Sequence, residues 1–540
     1  MLLAELLKDF KDFEYEIIAG SIDTDVKEIV LDSRKATEGC LFVCIRGAVA
    51  DGHRFAKDVA QAGAAVIVVE DESCLESIDA QAPDQNTNRT PNQDTNRTSI
   101  QNTAIHNPAN TNPTIVKVPD SRYALACISA AWFGHPAREM KTIGITGTKG
   151  KTTTTYMVKS ILEKTGHKVG LIGTIEATWG DVSIPAANTT PESYLIQKYF
   201  REMADAGCDA VVMEASSQGF MLHRTAGFTF DYGIFTNIEP DHIGPNEHRD
   251  FEHYLECKKM LLKQCRVGIV NRDDEHFSSI IHGAECEIET YGIGRAKANE
   301  AEADKTPKAF DEARDLRAEN MELVSKPGYL GIKYDVEGMM SFPVEIDIPG
   351  KFSVYNSLTA IAICRHFDVE PTAIVEALKE VQVKGRVELI KVSDEFTLMI
   401  DYAHNAMALE SLLGTLREYN PHRLVTVFGC GGNRARDRRF EMGEVSGKMA
   451  DLTIITSDNP RNEEPQAIID DIRTGIERTD GKFVEIINRK DAIKYAIENG
   501  EPGDIIICAG KGHETYQEIN GVKHDMDERV LIKEILEELK

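Results

Sequence analysis

The chain has 540 residues, 42% of them hydrophobic, which suits about three packed domains at roughly 100–200 residues each. Its 61 basic residues against 88 acidic ones give a net charge of -27, which disfavours general binding to nucleic acid or to an anionic membrane and confines any bound anion to a local cationic or backbone-amide site. No apolar run approaches the roughly 18 residues of a membrane span, and the charged start "MLLAELLKDFKDFEYE" lacks a small-residue cleavage site, so neither a transmembrane helix nor a signal peptide is expected.

From residue 1 to about 78 the pattern is short and mixed α/β, with "LFVCIRG" and "AAVIVVE" as strands. Cys40 and Cys44 of "CLFVC" read as one face of a buried segment rather than a metal pair. The 11 cysteines are scattered with no CxxC, which points to a reducing cytoplasmic compartment. A stretch rich in Asn, Thr, Gln and Pro, about 79–114, holds almost nothing that fills a core and is expected to be a disordered surface insertion. "TIVKVPDSRYALACISAAWFG" then returns to strand and helix.

A second region opens near Lys141. "TIGIT" is a strand and "KTTTTYMVKSILEKTG" a helix ended by Gly166, followed by the strand-like runs "KVGLIGT", "DAVVMEAS", "DYGIFTNI" and "VGIVN". A third region, from about residue 346, repeats the alternation in "FTLMIDYAHN", "RLVTVFGCGG", "LTIITSDNP" and "DIIICAGKGHE". Strands alternating with helices imply α/β sheets that are largely parallel and covered on both faces. In such sheets ligands gather at the carboxyl ends of strands, which is where each run turns polar or glycine-rich.

"GITGTKGKTTTT" lies between strand and helix. Gly147 and Gly150 let the backbone curl so that N–H groups, including those of Thr148, Lys149 and Thr153, face a phosphate. Lys151 reaches the β/γ-phosphates and Thr152 holds Mg²⁺. The spacing is GxxGKT, shorter than the common GxxxxGK[ST] loop.

This short loop after "IGIT" resembles that of the Mur ligase family, ATP-dependent amide-forming enzymes of peptidoglycan synthesis, and further motifs agree in order from about Leu31 to Asp527. The resemblance implies a small mixed α/β domain for UDP-sugar (1–140), a central P-loop ATPase-like domain (141–345) and a Rossmann-like amino-acid domain (346–540). "LDSR" and "RGAVADGH" are similar to the family's UDP-binding segments, which places Leu31, Ser33, Ala48, Val49 and Ala50 on the nucleotide sugar. "NTTP" and "EASSQGFMLHR" place Asn188, Thr189, Thr190, Ser216, Leu222 and Arg224 on the sugar-peptide, with Leu222 where a glutamine is common. Glu214, His242 and Lys258 match metal-site residues, the lysine as a CO₂-derived carbamate that needs a neutral amine. Asn271, Arg386, Asp401 and His404 fall at nucleotide positions. Ser353 of "GKFSVYN" and Asn433 of "GGNR" depart from the family's usual residues, whereas Asn356 is retained. Arg434 meets the incoming amino acid, and Arg438 or Arg439 serves phosphate charge.

"TSDNPRNEEP" alone reads as a solvated turn. Within the resemblance, "DNPR" is similar to the form in members that add meso-diaminopimelate. Asp458, Asn459, Pro460 and Arg461, with Gly510 and Glu514 of "AGKGHE", then line the amino-acid pocket. Arg461 would pair with the carboxylate that distinguishes diaminopimelate from lysine. The implied reaction joins that amino acid to the D-glutamate side chain of UDP-N-acetylmuramoyl-L-alanyl-D-glutamate. It uses ATP and Mg²⁺, and the expected protein is a cytoplasmic monomer with no nucleic-acid or membrane partner. Rival expectations are a relative using L-lysine, a folylpolyglutamate-type ligase, and a non-catalytic ATP-binding scaffold.

Overall fold

The computed structural model describes residues 1–8, 10, 13–47, 50–74, 112–244, 247–294, 312–326 and 328–540. Ala48 and Val49, and all but the end of the Asn/Thr-rich stretch, lie outside them. Among the described residues no helix is long and apolar enough to cross a membrane.

Three sheets follow one another along the chain. The first holds β1 (Glu16–Ala19), β2 (Glu28–Val30), β3 (Cys40–Val43), β4 (Val66–Val69) and β5 (Thr114–Lys117) in the order β1-β5-β4-β3-β2, parallel except for β1. The side chains of β3 and β4 are buried on both faces, which is why they read as unbroken apolar runs. Cys40 in β3 and Cys44 just after it are both buried.

The central sheet is built from β6 (Lys141–Thr146), β7 (Val169–Ile172), β8 (Glu176–Trp179), β9 (Val182–Pro185), β10 (Ala210–Glu214), β11 (Phe230–Phe235), β12 (Cys265–Asn271), β13 (Glu287–Ile293), β14 (Asp315–Lys326), β15 (Tyr329–Gly338) and β16 (Phe342–Ile346). Its order is β16-β15-β14-β13-β12-β11-β6-β10-β7-β8-β9. The stretch from β14 to β7 is parallel, and antiparallel strands close both edges. β6 lies between β10 and β11, and the chain runs to opposite sides of it, so the carboxyl end of β6 is a topological switch point.

The third sheet contains β17 (Glu388–Ile390), β18 (Thr397–Asp401), β19 (Leu424–Phe428), β20 (Leu452–Ile455), β21 (Phe483–Glu485) and β22 (Ile505–Ala509), in the order β17-β18-β22-β19-β20-β21. Only β17 is antiparallel. A hairpin of β23 (Tyr516–Ile519) and β24 (Val522–Asp525) follows.

The boundary between the second and third bodies falls later than residue 346. Helices Lys351–Arg365 and Pro371–Glu380 pack on helix Lys151–Lys164 and on the central sheet, and their apolar side chains belong to that sheet's core. "VYNSLTAIAIC" is buried almost all round because it is wedged between sheet and helix. The link to the third sheet is short: Gly385 has φ +67° and Val387 φ +48°, an unusual conformation for a β-branched residue. Gly385 N–H donates to Glu388 (2.7 Å) and Val387 N–H to Asp401 (2.8 Å), which hold the link in place.

Candidate active site

The loop at the end of β6 curls on its two glycines. Gly147 has φ +142° and Gly150 φ +87°, and a Cβ on Gly147 would lie 1.9 Å from Thr236 Oγ1. Helix Lys151–Lys164 starts directly after the loop with no side-chain cap, which leaves its first N–H groups at the loop end. The loop is braced from β11 and beyond. Thr236 Oγ1 donates to Lys149 O (2.7 Å), Lys149 N–H donates to Asn237 Oδ1 (2.9 Å), and Tyr254 Oη lies 3.1 Å from Thr148 Oγ1. Lys149 Nζ pairs with Glu239 at 2.7 Å. Thr153 sits half-buried in the first helical turn. Thr236, Asn237 and Tyr254 carry no motif signal; only their place after β11 and in helix Phe251–Lys263 reveals them.

Two lysines converge on one oxygen. Lys151 Nζ donates to Gly147 O (2.8 Å) and Thr148 O (3.1 Å), and Lys258 Nζ donates to the same Gly147 O (2.8 Å). Lys258 is 2% exposed and lies over the Tyr254 ring at 4.6 Å. Burial, reinforced by the Lys151 charge, holds its amine well below the usual lysine range. Burial lowers Lys151 as well, with Glu214 opposing and Arg386 adding to the effect.

Glu214, at the end of β10, is 1% exposed. Thr152 Oγ1 lies 3.0 Å from both of its carboxylate oxygens, Thr174 N–H donates at 2.8 Å and Thr174 Oγ1 at 3.0 Å. This cluster of hard oxygens suits Mg²⁺. His242 is exposed at φ +54°, and its side-chain partners among the described residues are Glu247 (3.3 Å), Asp241 (3.7 Å) and the Tyr254 ring (6.2 Å between centroids). Asn271 ends β12, where its Oδ1 accepts from Asp273 N–H at 3.0 Å.

Next to Glu214 lies a second polar group. Thr190 Oγ1 donates to Glu214 O (2.9 Å) and accepts from Ser216 N–H (2.9 Å), and Thr189 Oγ1 lies 3.1 Å from Thr174 Oγ1. Arg224 donates to Thr190 O (3.1 Å) and pairs with Glu192 (2.6 Å). Asn188 is exposed beside them and Leu222 is half-buried. Arg122 connects this group to the first body, reaching Glu192 at 3.3 Å and Arg46 O at 3.4 Å, where "RGAVADGH" begins. Exposed Leu31 and half-buried Ser33 follow β2, and Ala50 is exposed.

In the third body the motifs gather at the carboxyl edge of the sheet. The Tyr402 ring lies 4.6 Å from the His404 ring and 4.7 Å from that of His513, with the Arg386 guanidinium 5.0 Å from its centroid. Burial and nearby cations push His513 down to about 4. Asp401 is buried and accepts from Val387 N–H and Ala403 N–H (2.7 Å), so it serves the backbone of the link rather than presenting a free carboxylate.

Asp458 and Asn459 are buried after β20, and Pro460 with them. Lys511, fully buried, donates to Asn459 Oδ1 (2.9 Å) and Glu514 Oε2 (2.6 Å), and Asn459 Nδ2 donates to Glu514 (2.9 Å). Gly510 has φ +104°, and a Cβ there would lie 3.1 Å from Asp458 Oδ2. Arg461 is held by Glu518 from the β23–β24 hairpin (3.2 Å) and by Gly432 O (2.7 Å). Arg434 is exposed beside Gly431. Arg439 is not available for phosphate: it is buried and bound to Glu463 (2.8 Å) and Asp471 (3.1 Å), which leaves Arg438 of the expected pair. Lys511 and Glu518 were not among the expected residues. The lysine of "GKGHE" is a visible signal, whereas the glutamate belongs to a hairpin with no motif.

Comparison with known proteins agrees along the length of the chain. Residues 25–132 match the Mur ligase family catalytic domain, 145–364 the Mur ligase middle domain, and 385–512 the Mur ligase glutamate ligase domain. UDP-N-acetylmuramoyl-L-alanyl-D-glutamate--2,6-diaminopimelate ligase 1 of Clostridium acetobutylicum is 38% identical over 99% of this chain and 100% of its own length. The like-named ligase of Clostridium botulinum is 37% identical over 98% of this chain and 99% of its own. A solved structure of a UDP-N-acetylmuramoyl-L-alanyl-D-glutamate--2,6-diaminopimelate ligase superposes with a TM-score of 0.67 at 25% identity, covering 100% of this chain and 99% of the other. The fold is also that of UDP-N-acetylmuramoylalanyl-D-glutamyl-2,6-diaminopimelate--D-alanyl-D-alanyl ligase from Acinetobacter baumannii, with a TM-score of 0.56 at 17% identity over 99% and 98% of the two chains.

Proposed function

The chain belongs to the Mur ligase family, and from that premise we infer that it is an ATP-dependent, ADP-forming ligase of peptidoglycan synthesis. It joins meso-diaminopimelate to the D-glutamate side-chain carboxylate of UDP-N-acetylmuramoyl-L-alanyl-D-glutamate. The observation that carries the chemistry is the meeting of Lys151 and Lys258 on Gly147 O, beside the buried Thr152–Glu214 pair.

A carboxylate has no leaving group, so the substrate carboxylate first takes the γ-phosphoryl group of ATP, giving an acyl phosphate and ADP. The amine of the amino acid then attacks the acyl carbon, and phosphate leaves. The protein's task is to bring several anions together in line. Residues 147–153 cradle the phosphates, with Lys151 supplying positive charge. Thr152, Glu214, His242 and Lys258 as its carbamate would hold two Mg²⁺ ions, which when bound neutralise the phosphate oxygens. For Lys258 the neutral amine adds to CO₂, forms an N–C bond and releases one proton, so that a cation becomes an anionic ligand. Asn271, Arg386, Asp401 and His404 belong to the nucleotide side. Leu31, Ser33, Ala50, Asn188, Thr189, Thr190, Ser216, Leu222 and Arg224 belong to the UDP-sugar-peptide side, and Ala48 and Val49 join them on sequence grounds.

Arg434, Asp458, Asn459, Pro460, Arg461, Gly510 and Glu514 form the amino-acid pocket. Glu518 and Gly432 O fix the plane of the Arg461 guanidinium, which supports its pairing with the second carboxylate of diaminopimelate. The test is ADP release with UDP-N-acetylmuramoyl dipeptide and either meso-diaminopimelate or L-lysine. Release that requires both dipeptide and diaminopimelate is expected. Equal turnover with lysine removes the specificity, and release without either substrate removes the ligase.

A further inference from the structure

Beside the helix that carries Lys258, three groups meet that the ligation does not use. His248 precedes helix Phe251–Lys263, and His253 and Cys257 lie four residues apart on it, so the two share one helical face. Each offers one ligand atom, and these atoms lie within 4.8 Å of one another. His248 is 0% exposed and Cys257 6%, while His253 is half-buried. The Nδ1 atoms of both imidazoles are shut away from solvent and have no hydrogen-bond partner among the described residues. Buried polar atoms are nearly always paired, and two orphans next to a thiol call for a physical reason.

We propose that His248, His253 and Cys257 form a binding site for a borderline-soft divalent cation of the zinc class. Two imidazoles and a thiolate are zinc ligands, whereas Mg²⁺ takes oxygen. The outer contact such a site needs is already in place: His248 Nε2 is 2.9 Å from Ser217 Oγ, which orients the ring and leaves Nδ1 for the metal. Zinc–nitrogen bonds of about 2.0–2.1 Å and a zinc–sulfur bond of about 2.3 Å require tighter ligand spacing than the structure shows, a closure of roughly an ångström within reach of side-chain rotation. Binding converts the Cys257 thiol to thiolate, and its proton goes to solvent. The fourth position is left to water.

The site would clip together two supports of the ligation site. Cys257 adjoins Lys258, and His248 N–H donates to His242 O at 2.9 Å. The ion is therefore a tie between loop and helix and takes no part in ligation.

The test uses the full chain, stripped with chelator and titrated with Zn²⁺ and then Co²⁺ in the presence of excess Mg²⁺. One zinc per chain should survive gel filtration. Co²⁺ should give a thiolate-to-metal charge-transfer band with the visible spectrum of a tetrahedral site. Cys257→Ser should abolish that band, and His253→Ala should weaken zinc binding at least roughly tenfold. Circular dichroism of each variant checks folding, and Cys257→Ala provides a second thiol-free form should the serine variant misfold. Zinc well below one per chain, a band unchanged in both Cys257 variants, or displacement of zinc by Mg²⁺ each overturns the proposal.

Discussion

Lys151 and Lys258 donate to the same carbonyl oxygen, Gly147 O, each from 2.8 Å. Burial disfavours a charged amine at Lys258, and repulsion from the Lys151 ammonium on the same oxygen adds to the cost, so the more deeply buried Lys258 is the one driven towards a neutral amine. Replacing Lys258 with alanine is expected to slow ligation by on the order of 10²–10³, the effect of losing one electrostatic contact in a transition state. Formate or acetate should restore part of the rate by supplying the missing anionic oxygen, and ¹³C-bicarbonate should label the wild-type lysine as a carbamate. Full activity of the alanine variant without rescue would falsify the carbamate.

Gly150 combines φ +87° with a Cβ position only 2.4 Å from Asn356 Oδ1. An alanine there must either displace Asn356 or unwind the loop, and the left-handed backbone alone costs about 1–2 kcal/mol. Gly150→Ala should therefore weaken ATP binding at least about tenfold while leaving the KM for diaminopimelate near wild type. Calorimetric titration with ATP and steady-state kinetics check both halves.

Arg461 presents a guanidinium whose Nε and Nη1 are already tied down. Loss of a charge-assisted pair worth about 1.5–3 kcal/mol should raise the KM for diaminopimelate by roughly 10- to 100-fold in Arg461→Ala, with little change for ATP. Arg461→Lys should recover little, because an ammonium lacks the planar fork. Glu518→Gln should shift the same KM by less. Equal effects on ATP and diaminopimelate would place Arg461 outside the pocket.

Burial pushes Asp347 up to about 6, and its Oδ1 is buried without a partner among the described residues. The unfolded chain ionises this group near the ordinary value of about 3.9. The contribution to stability is therefore fully present below that value and is lost as pH rises through about 6. Asp347→Asn should raise the Tm relative to wild type above about pH 7, with the difference fading near pH 4. Melting curves across that range decide it, and a variant destabilised equally at every pH would contradict the assignment.

What could be read in advance depended on whether physics acted locally. β6 and the loop after it were legible because strand, glycines and helix are contiguous. Lys258 and Lys259 are adjacent and alike in sequence, and only the structure separates them: Lys258 lies over the Tyr254 ring, while Lys259 turns to Glu256. Helices Lys351–Arg365 and Pro371–Glu380 were misplaced because a buried helix has the same composition whichever sheet it covers. Arg439 looked like its neighbour Arg438 until Asp471 and Glu463 claimed it. Glu518 was out of reach, since its partner Arg461 lies far earlier in the chain.

The short link at Gly385 and Val387 also sets what the third body can do. Arg386 sits between these two left-handed residues, beside the Tyr402 ring, and its charge acts on Lys151 across the gap. Gly385 and Val387 are each pinned through a backbone N–H, so the Arg386 guanidinium cannot change its distance to Lys151 unless these bonds give way. The charge balance of a lysine in the central body thus depends on the conformation of a segment that lies outside its sheet.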